Sequence, residues 1–350
     1  MGIILIGLMG AFADAPPTGV LSEASEAHPR QSEGDVEVLR DGRLLAVYTD
    51  FYGGREDEAP ACIAGRLSAD EGATWSEPFV VVENTGANNV MSASLLRLAD
   101  GRLMLGYLKK NGPADCQPFV RTADSHDLTF GPETCVTDEP AYYVMNNDRL
   151  VQLPTGRIVA PLSFSAGLLG DGHFRIVCFY SDDGGATWQR GKGIVDEPMR
   201  GAMEPGIVEL RDGTALIIIR TQLGRIDRAI STDACDTWGP VEPLGVAAPE
   251  APATIARMPS GPLLLVYNPT VKLGSDHSGP RTPLRCSVSL DEGLTWSPGK
   301  DLETDAGCGF AYTSVTFVGE TAVMTYYCEH GRGGMVSQKV ALVPVEWFLN

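Results

Sequence analysis

"IVELRDGTALIII", residues 207–219, consists of two apolar runs joined by Asp212-Gly213, and its reading decides the fold. A short apolar run, a turn containing glycine and a second apolar run make a β-hairpin, because Asp-Gly supplies the positive φ that tight turns between strands need. Five other segments repeat the pattern: "VEVLRDGRLLAVY" (36–48), "LLRLADGRLMLGY" (95–107), "LVQLPTGRIVAPL" (150–162), "TIARMPSGPLLLVY" (254–267) and "VTFVGETAVMTYY" (315–327). Their turn glycines, Gly42, Gly101, Gly156, Gly213, Gly261 and Gly319, recur about every 50–60 residues, which leaves room for four short strands per unit.

A second signature follows the hairpin in four units: "SADEGATW" (68–75), "SDDGGATW" (181–188), "STDACDTW" (231–238) and "SLDEGLTW" (289–296), with a worn copy, "TADSHDLTF", at 122–130. This is the Asp-box pattern, S-x-D-x-G-x-T-W. Ser and Asp side chains bond turn backbone groups, Gly takes the unusual dihedral, and Trp packs between neighbouring sheets. Repeated in several units, the box marks equivalent outer-rim turns rather than one ligand site, so Asp70, Asp183, Asp233 and Asp291 are expected to be turn residues. Six units of four antiparallel strands, without convincing helical periodicity, predict an all-β fold, a six-bladed β-propeller filling residues 16–350 as a single domain. Either the first strand after residue 15 or the C-terminal "SQKVALVPVEWFL" is expected to close the ring.

Composition narrows the function. At 350 residues the chain exceeds the ~250–300 at which one core stops growing, and radial repetition resolves this because each sheet is buried against two neighbours. A net charge of −18 disfavours nucleic acid or an anionic membrane surface as partner, so an anionic ligand needs a local cluster of arginines. The N-terminal apolar stretch, with Ala11 and Ala13 spaced as at a signal cleavage site, is either the remnant of an export signal or a plain apolar tail, and is too short to span a bilayer. The eight cysteines show no CxxC pairs and the five histidines, among them His28, His126 and His277, no zinc-site spacing, so neither a metal nor a cofactor is expected and the thiols are expected to be free and buried.

Six hairpins with interspersed Asp boxes resemble the sialidase (neuraminidase) superfamily over about residues 28–348, and the resemblance implies a set of site residues. Glu204 stands just before one strand and Arg220 ends the apolar run 215–219, the acid-to-arginine interval of that family. The family clamps a sugar carboxylate with three arginines, here Arg30, Arg220 and Arg281, with Arg285 competing for the third place; guanidinium suits the task because its planar fork bonds a carboxylate bidentately. The resemblance makes Tyr312 the nucleophile, Glu204 its base and Asp57 the acid/base, with Asp50, Glu56 and Glu58 crowding the same acidic loop. Asn146, Asn147, Asp148 and Arg149 either line the pocket, binding glycerol-like or N-acyl groups, or form a turn-rich strand entry. Around Arg30 the chain departs from the family's Arg-Ile-Pro, reading Pro29-Arg30-Gln31-Ser32 with Glu33 and Asp35 following. The resemblance implies a retaining hydrolase, needing no metal for catalysis, that releases terminal sialic acid or a related nonulosonic acid, and the chain is expected to be a monomer. A propeller glycosidase or lyase acting on another acidic sugar, and a carbohydrate-binding propeller without chemistry, remain as alternatives.

Overall fold

A computed structural model describes residues 16–124, 128–167 and 172–350. The apolar N-terminal segment and His126 lie outside the described residues. Six four-stranded blades follow one another along the chain. Blade 1 contains Arg30–Val38, Leu44–Phe51, Ala61–Ser68 and Phe79–Val82; blade 2, Asn89–Arg97, Arg102–Gly112, Asp115–Asp124 and Thr134–Cys135. In blade 3 the inner strand is broken into Tyr142–Val144 and Val151–Gln152, both paired with Ile158–Ser165, and Arg175–Ser181 and Gln189–Val195 follow outward. Blades 4 and 5 are Met203–Glu209, Ala215–Arg220, Arg225–Ser231, Glu242–Ala247 and Thr254–Arg257, Leu263–Tyr267, Leu284–Ser289, Lys300–Glu303.

Both ends of the chain build blade 6. Cys308–Val318, Thr321–His330 and Val336–Pro344 supply three strands, and Thr18–Ser22 adds the outermost, pairing Thr18 with Ala341. The last residues of the expected closing segment, Val345–Leu349, turn into a short helix whose Trp347 and Phe348 are buried against blades 5 and 6. Apolar clusters span neighbouring blades: Val47 and Ile63 of blade 1 pack with Val90 and Leu105 of blade 2, and Val159 and Ile176 of blade 3 with Ile217 and Ile219 of blade 4. Fully burying one such side chain is worth roughly 1.5–3 kcal/mol, so the inter-blade seams hold the ring together. Among the described residues no helix is long and apolar enough to cross a membrane.

The four Asp boxes form the same small network. Asp70 Oδ1 accepts from Ser68 Oγ at 2.8 Å and Thr74 N at 2.8 Å, while Asp70 Oδ2 accepts from Thr74 Oγ1 at 2.6 Å. The contacts recur at Asp183, Asp233 and Asp291, and each Trp leans on an inter-blade cluster. In the third box Cys235 stands in place of glycine, held at φ 67° with its side chain buried in the seam between blades 3 and 4.

Candidate active site

At one end of the ring the inner strands begin and the second strands end, so first residues of one strand meet last residues of the next. Arg220 is therefore at the end of a second strand, opposite Met203, rather than at the end of an inner strand. Four inner strands carry a bulge here, each with a non-glycine residue at positive φ: Glu33 (54°), Ser92 (58°), Glu204 (40°) and Tyr312 (56°). A left-handed conformation costs roughly 1–2 kcal/mol for a side chain with a Cβ, and bulges re-aim side chains. All four side chains line one cavity of about 1070 Å³. In blade 1 the bulge also demands Gly34, where an added Cβ would come within 2.7 Å of the Val47 carbonyl.

Arg30, Arg220 and Arg281, contributed by blades 1, 4 and 5, line this cavity together with Asp57, Glu204 and Tyr312. Arg30 donates to Glu33 Oε1 at 2.7 Å and Asp57 Oδ1 at 2.5 Å, and its guanidinium lies 4.4 Å from the centre of the Phe51 ring. Arg220 donates to Glu204, with Glu250 Oε1 3.7 Å away. Arg281 donates to the Tyr327 hydroxyl and stands 5.4 Å from the Tyr312 ring centre. Burial opposes charge on all three, but the facing acids and phenols outweigh it and raise each pKa, so the guanidinium groups stay charged. Arg285, the competing candidate, instead pairs with Asp301 at 2.6 Å, outside the cavity lining.

Tyr312 is partly buried, its ring 5.3 Å from that of Tyr327. Burial, reinforced by the Glu204 carboxylate, pushes the Tyr312 phenol well above its ordinary range, while Arg281 and Arg220 pull it back. The phenol is therefore neutral and needs a base to react. Glu204 is the carboxylate with the largest electrostatic hold on it, although among the described residues no hydrogen bond joins the two side chains.

The loop bearing Asp57 is held from blade 2. Asn89 Nδ2 donates to the carbonyls of Asp57 and Ala59, both at 2.8 Å, and the buried Lys110 reaches the Asp57 carbonyl at 3.2 Å and Glu58 Oε1 at 2.9 Å. The crowded acids thereby separate. Glu58 faces Lys110, Asp50 bonds His28 and Gln31, and Asp57 pairs with Arg30 while its side chain remains 57% exposed. Burial would raise the Asp57 carboxyl, but Arg30 overrides it and holds the pKa below the ordinary value.

Asn147 and Asp148, expected as pocket-wall residues, do not line the cavity; of that cluster only Asn146 does. Asn147 is fully buried and donates from Nδ2 to the Gly34 carbonyl at 2.8 Å and the Tyr312 carbonyl at 2.9 Å, a strut from blade 3 to the bulges of blades 1 and 6. Asp148 lies deeper in the channel, accepting from Val315 N at 3.0 Å. Arg149 is buried beside them and bonds the Ala253 carbonyl at 2.8 Å. A hairpin entry that crosses a channel has to satisfy backbone carbonyls and N–H groups from several blades, and these polar side chains do so.

Sequence reasoning missed Tyr327 and Glu250. Tyr327 stands on its second strand opposite Ala311, the residue before the bulge, just as Arg220 stands opposite Met203, so comparing equivalent hairpin positions finds it. Glu250 is buried and collects Arg200, Arg220, Gln222 at 2.9 Å and His277 at 3.4 Å; burial opposes its charge, but these partners carry its pKa down to about 2. No motif surrounds it in the chain.

Fold and cavity together define a propeller of the sialidase/BNR superfamily. The chain belongs to the BNR repeat-like domain family, which it matches over residues 42–324. It is 28% identical over 337 residues to a sialidase of Micromonospora viridifaciens, covering 83% of this chain and 50% of that protein. A sialidase of Clostridium perfringens is 25% identical over 235 residues, covering 60% of each. The chain thus spans about half to three-fifths of the length of these curated relatives. Among solved structures, Trypanosoma rangeli sialidase in complex with the inhibitor DANA has a TM-score of 0.75 at 16% identity, covering 96% of this chain and 61% of that one. A protein of unknown function from Dyadobacter fermentans DSM 18053 has a TM-score of 0.76 at 17% identity, covering 93% and 98%. At these identities the structural likeness speaks for the fold alone.

Proposed function

We propose that the protein is a retaining glycoside hydrolase of the exo-sialidase type, releasing terminal sialic acid or a related nonulosonic acid from glycans. The observation that carries this reading is the convergence of three charged guanidinium groups from three blades on one cavity that also holds a neutral phenol. Arg30, Arg220 and Arg281 bind the sugar carboxylate. Tyr312 attacks the anomeric carbon, and Glu204 takes the phenolic proton. A tyrosine is suited to the attack because the carboxylate on the anomeric carbon would repel an ionised Asp or Glu nucleophile.

Asp57 donates a proton to the leaving oxygen and later activates water. Paired with Arg30 its carboxyl is a poor proton donor. A substrate carboxylate competing for Arg30 withdraws that partner and adds a negative charge nearby, and both changes raise the Asp57 pKa toward that of a working acid. The protein works as a monomer in this scheme, and the site residues named need no metal for these steps.

The test is release of a chromogenic aglycone from an aryl sialoside. Tyr312→Phe should lower kcat/KM by about 10³-fold or more, the scale of losing a nucleophile or its base, without changing the thermal melt by more than a few degrees. A wild-type protein inert on aryl and glycan sialosides, yet active on a panel of uronic-acid polysaccharides, would replace this substrate with another acidic sugar. A Tyr312→Phe variant that binds and behaves as wild type would leave a carbohydrate-binding propeller.

A further inference from the structure

We propose that Cys308, Cys328 and His330, with Asp305 beside them, form a site for a thiolate-preferring divalent cation of the zinc class at the edge of the cavity. Cys308 opens the inner strand of blade 6 and is paired in register with His330 on the second strand, while Cys328 precedes His330 by two residues. Side chains two apart on a strand point to the same face, and so do directly opposed residues, so the three donors converge. Their ligand atoms all lie within 4.8 Å of one another. Cys308 Sγ is 3.8 Å from His330 Nδ1 and 3.5 Å from Asp305 Oδ2.

In a tetrahedral zinc site with metal–sulfur bonds of about 2.3 Å and metal–nitrogen bonds of about 2.0–2.1 Å, neighbouring ligand atoms are roughly 3.5–3.8 Å apart. The Cys308–His330 and Cys308–Asp305 spacings are close to that figure and Cys328 lies within 4.8 Å of Cys308 and His330, so side-chain movements draw the donors together, with Asp305 swinging in as the fourth. Asp305 is already steadied by the Gly307 N–H, which donates to its Oδ1 at 2.8 Å. Two thiolates, an imidazole and a carboxylate form a donor set that favours zinc over magnesium or calcium. Cys178 and Cys235 differ: their side chains sit in an apolar seam, and among the described residues they belong to no such group of donors. The CxxC criterion overlooked the cluster because its donors come from two antiparallel strands.

Binding replaces two S–H bonds by two metal–sulfur bonds, and both protons go to solvent. Burial holds both thiols above their ordinary range, Cys328 at about 12, so the metal has to displace protons rather than meet ready thiolates. Cys308 also lines the cavity, four residues before Tyr312 on the same strand. A bound ion ties the start of that strand to its neighbour.

The test needs no enzymatic activity, so it stands apart from the hydrolase reading. Fully reduced, metal-free protein is titrated with Co²⁺ in weak buffer. The expected result is one equivalent bound, with thiolate-to-cobalt absorption in the near ultraviolet, release of two protons, and loss of the signal on adding Zn²⁺. Cys308→Ser, at a partly exposed position, should abolish the thiolate band. His330→Ala, at the surface, should weaken binding by more than about tenfold, since even second-shell changes cost roughly 10–100-fold. The proposal is overturned if reduced protein gives no thiolate band, if Cys308→Ser retains it, or if His330→Ala binds as tightly as wild type.

Discussion

The outer rim and the mouth of the channel are both rich in carboxylates, but they use them in opposite ways. On the outer rim, Asp70, Asp183, Asp233 and Asp291 make the same bonds to the same turn in four blades. At the mouth, Glu33, Asp57, Glu204 and Glu250 face arginines, and no two blades repeat an arrangement. The rim carboxylates find their partners within four residues of chain, whereas Asp57 and Arg30 are 27 residues apart and Arg200 and Glu250 are 50 apart. Repetition marks what every blade needs to fold, and its breakdown marks where the ring does something a single blade cannot.

The largest effect is expected at the mouth. Arg220→Ala leaves Glu204 and Glu250 partly unpaired in a buried setting, since Arg220 is only 6% exposed and its partners 10% and 1%. Removing one partner of a buried ion pair costs about 3–5 kcal/mol. Urea unfolding should register that loss, and activity should fall with it. The double variant Arg220→Met with Glu204→Gln removes the uncompensated charge and should recover much of the stability but none of the turnover. If Arg220→Ala unfolds like wild type, the pair at the mouth is no more consequential than a surface contact, and the contrast fails.

The two regions also differ in how far the chain discloses them. Six hairpin turns and four Asp boxes are local patterns, written in consecutive residues because the physics they encode is local. Arg30, Arg220, Arg281, Glu204, Tyr312 and Asp57 came from resemblance, and the structure brings all six to one cavity. What the chain hides is the bulges. Glu33, Ser92, Glu204 and Tyr312 adopt positive φ without the glycine that usually announces it, because cross-strand pairing and cross-channel bonds impose the conformation from outside the segment. The place of Asn147 is hidden for the same reason. A buried strut and a pocket-wall residue look alike in sequence, and only the carbonyls of Gly34 and Tyr312 decide between them.

A smaller effect lies one layer below the mouth. Burial is the main cause that lifts the Asp148 carboxyl from 3.8 to about 7, with Glu37 adding to it and Arg149 and the Val315 N–H opposing, and nearby Asp35 is raised as well, by burial and then by Asp148. A carboxyl raised by folding stabilises the native state fully below its unfolded pKa, and that contribution is lost as pH climbs to the folded value, because the native protein holds a proton that the unfolded chain has released. Stability should therefore decline between pH 4 and pH 7. Asp148→Asn keeps an oxygen for the Val315 N–H and removes the titration. It should flatten the decline by about 1–2 kcal/mol, less than the full shift implies because the side chain is partly exposed. An unchanged pH profile would mean that the proton resides elsewhere in the channel.

The smallest effect is expected on the outer rim, and it is the one that sharpens the contrast most. Asp233→Ala deletes acceptors for Ser231, for the Thr237 N–H and for the Thr237 hydroxyl. The lost bonds resemble those of a helix cap, whose removal costs about 0.5–2 kcal/mol. Because the turn lies in water, the freed N–H and hydroxyl groups can be solvated, which places the loss toward the low end of that range. The same substitution at Asp291, in the next blade and touching none of these partners, should add to it nearly arithmetically, as independent sites do. Turnover per folded molecule should be unaltered in both, since neither residue lines the cavity. A variant that melts like wild type but has lost catalysis would make the outer turns part of the site, and the division between what repeats and what acts would have to be redrawn.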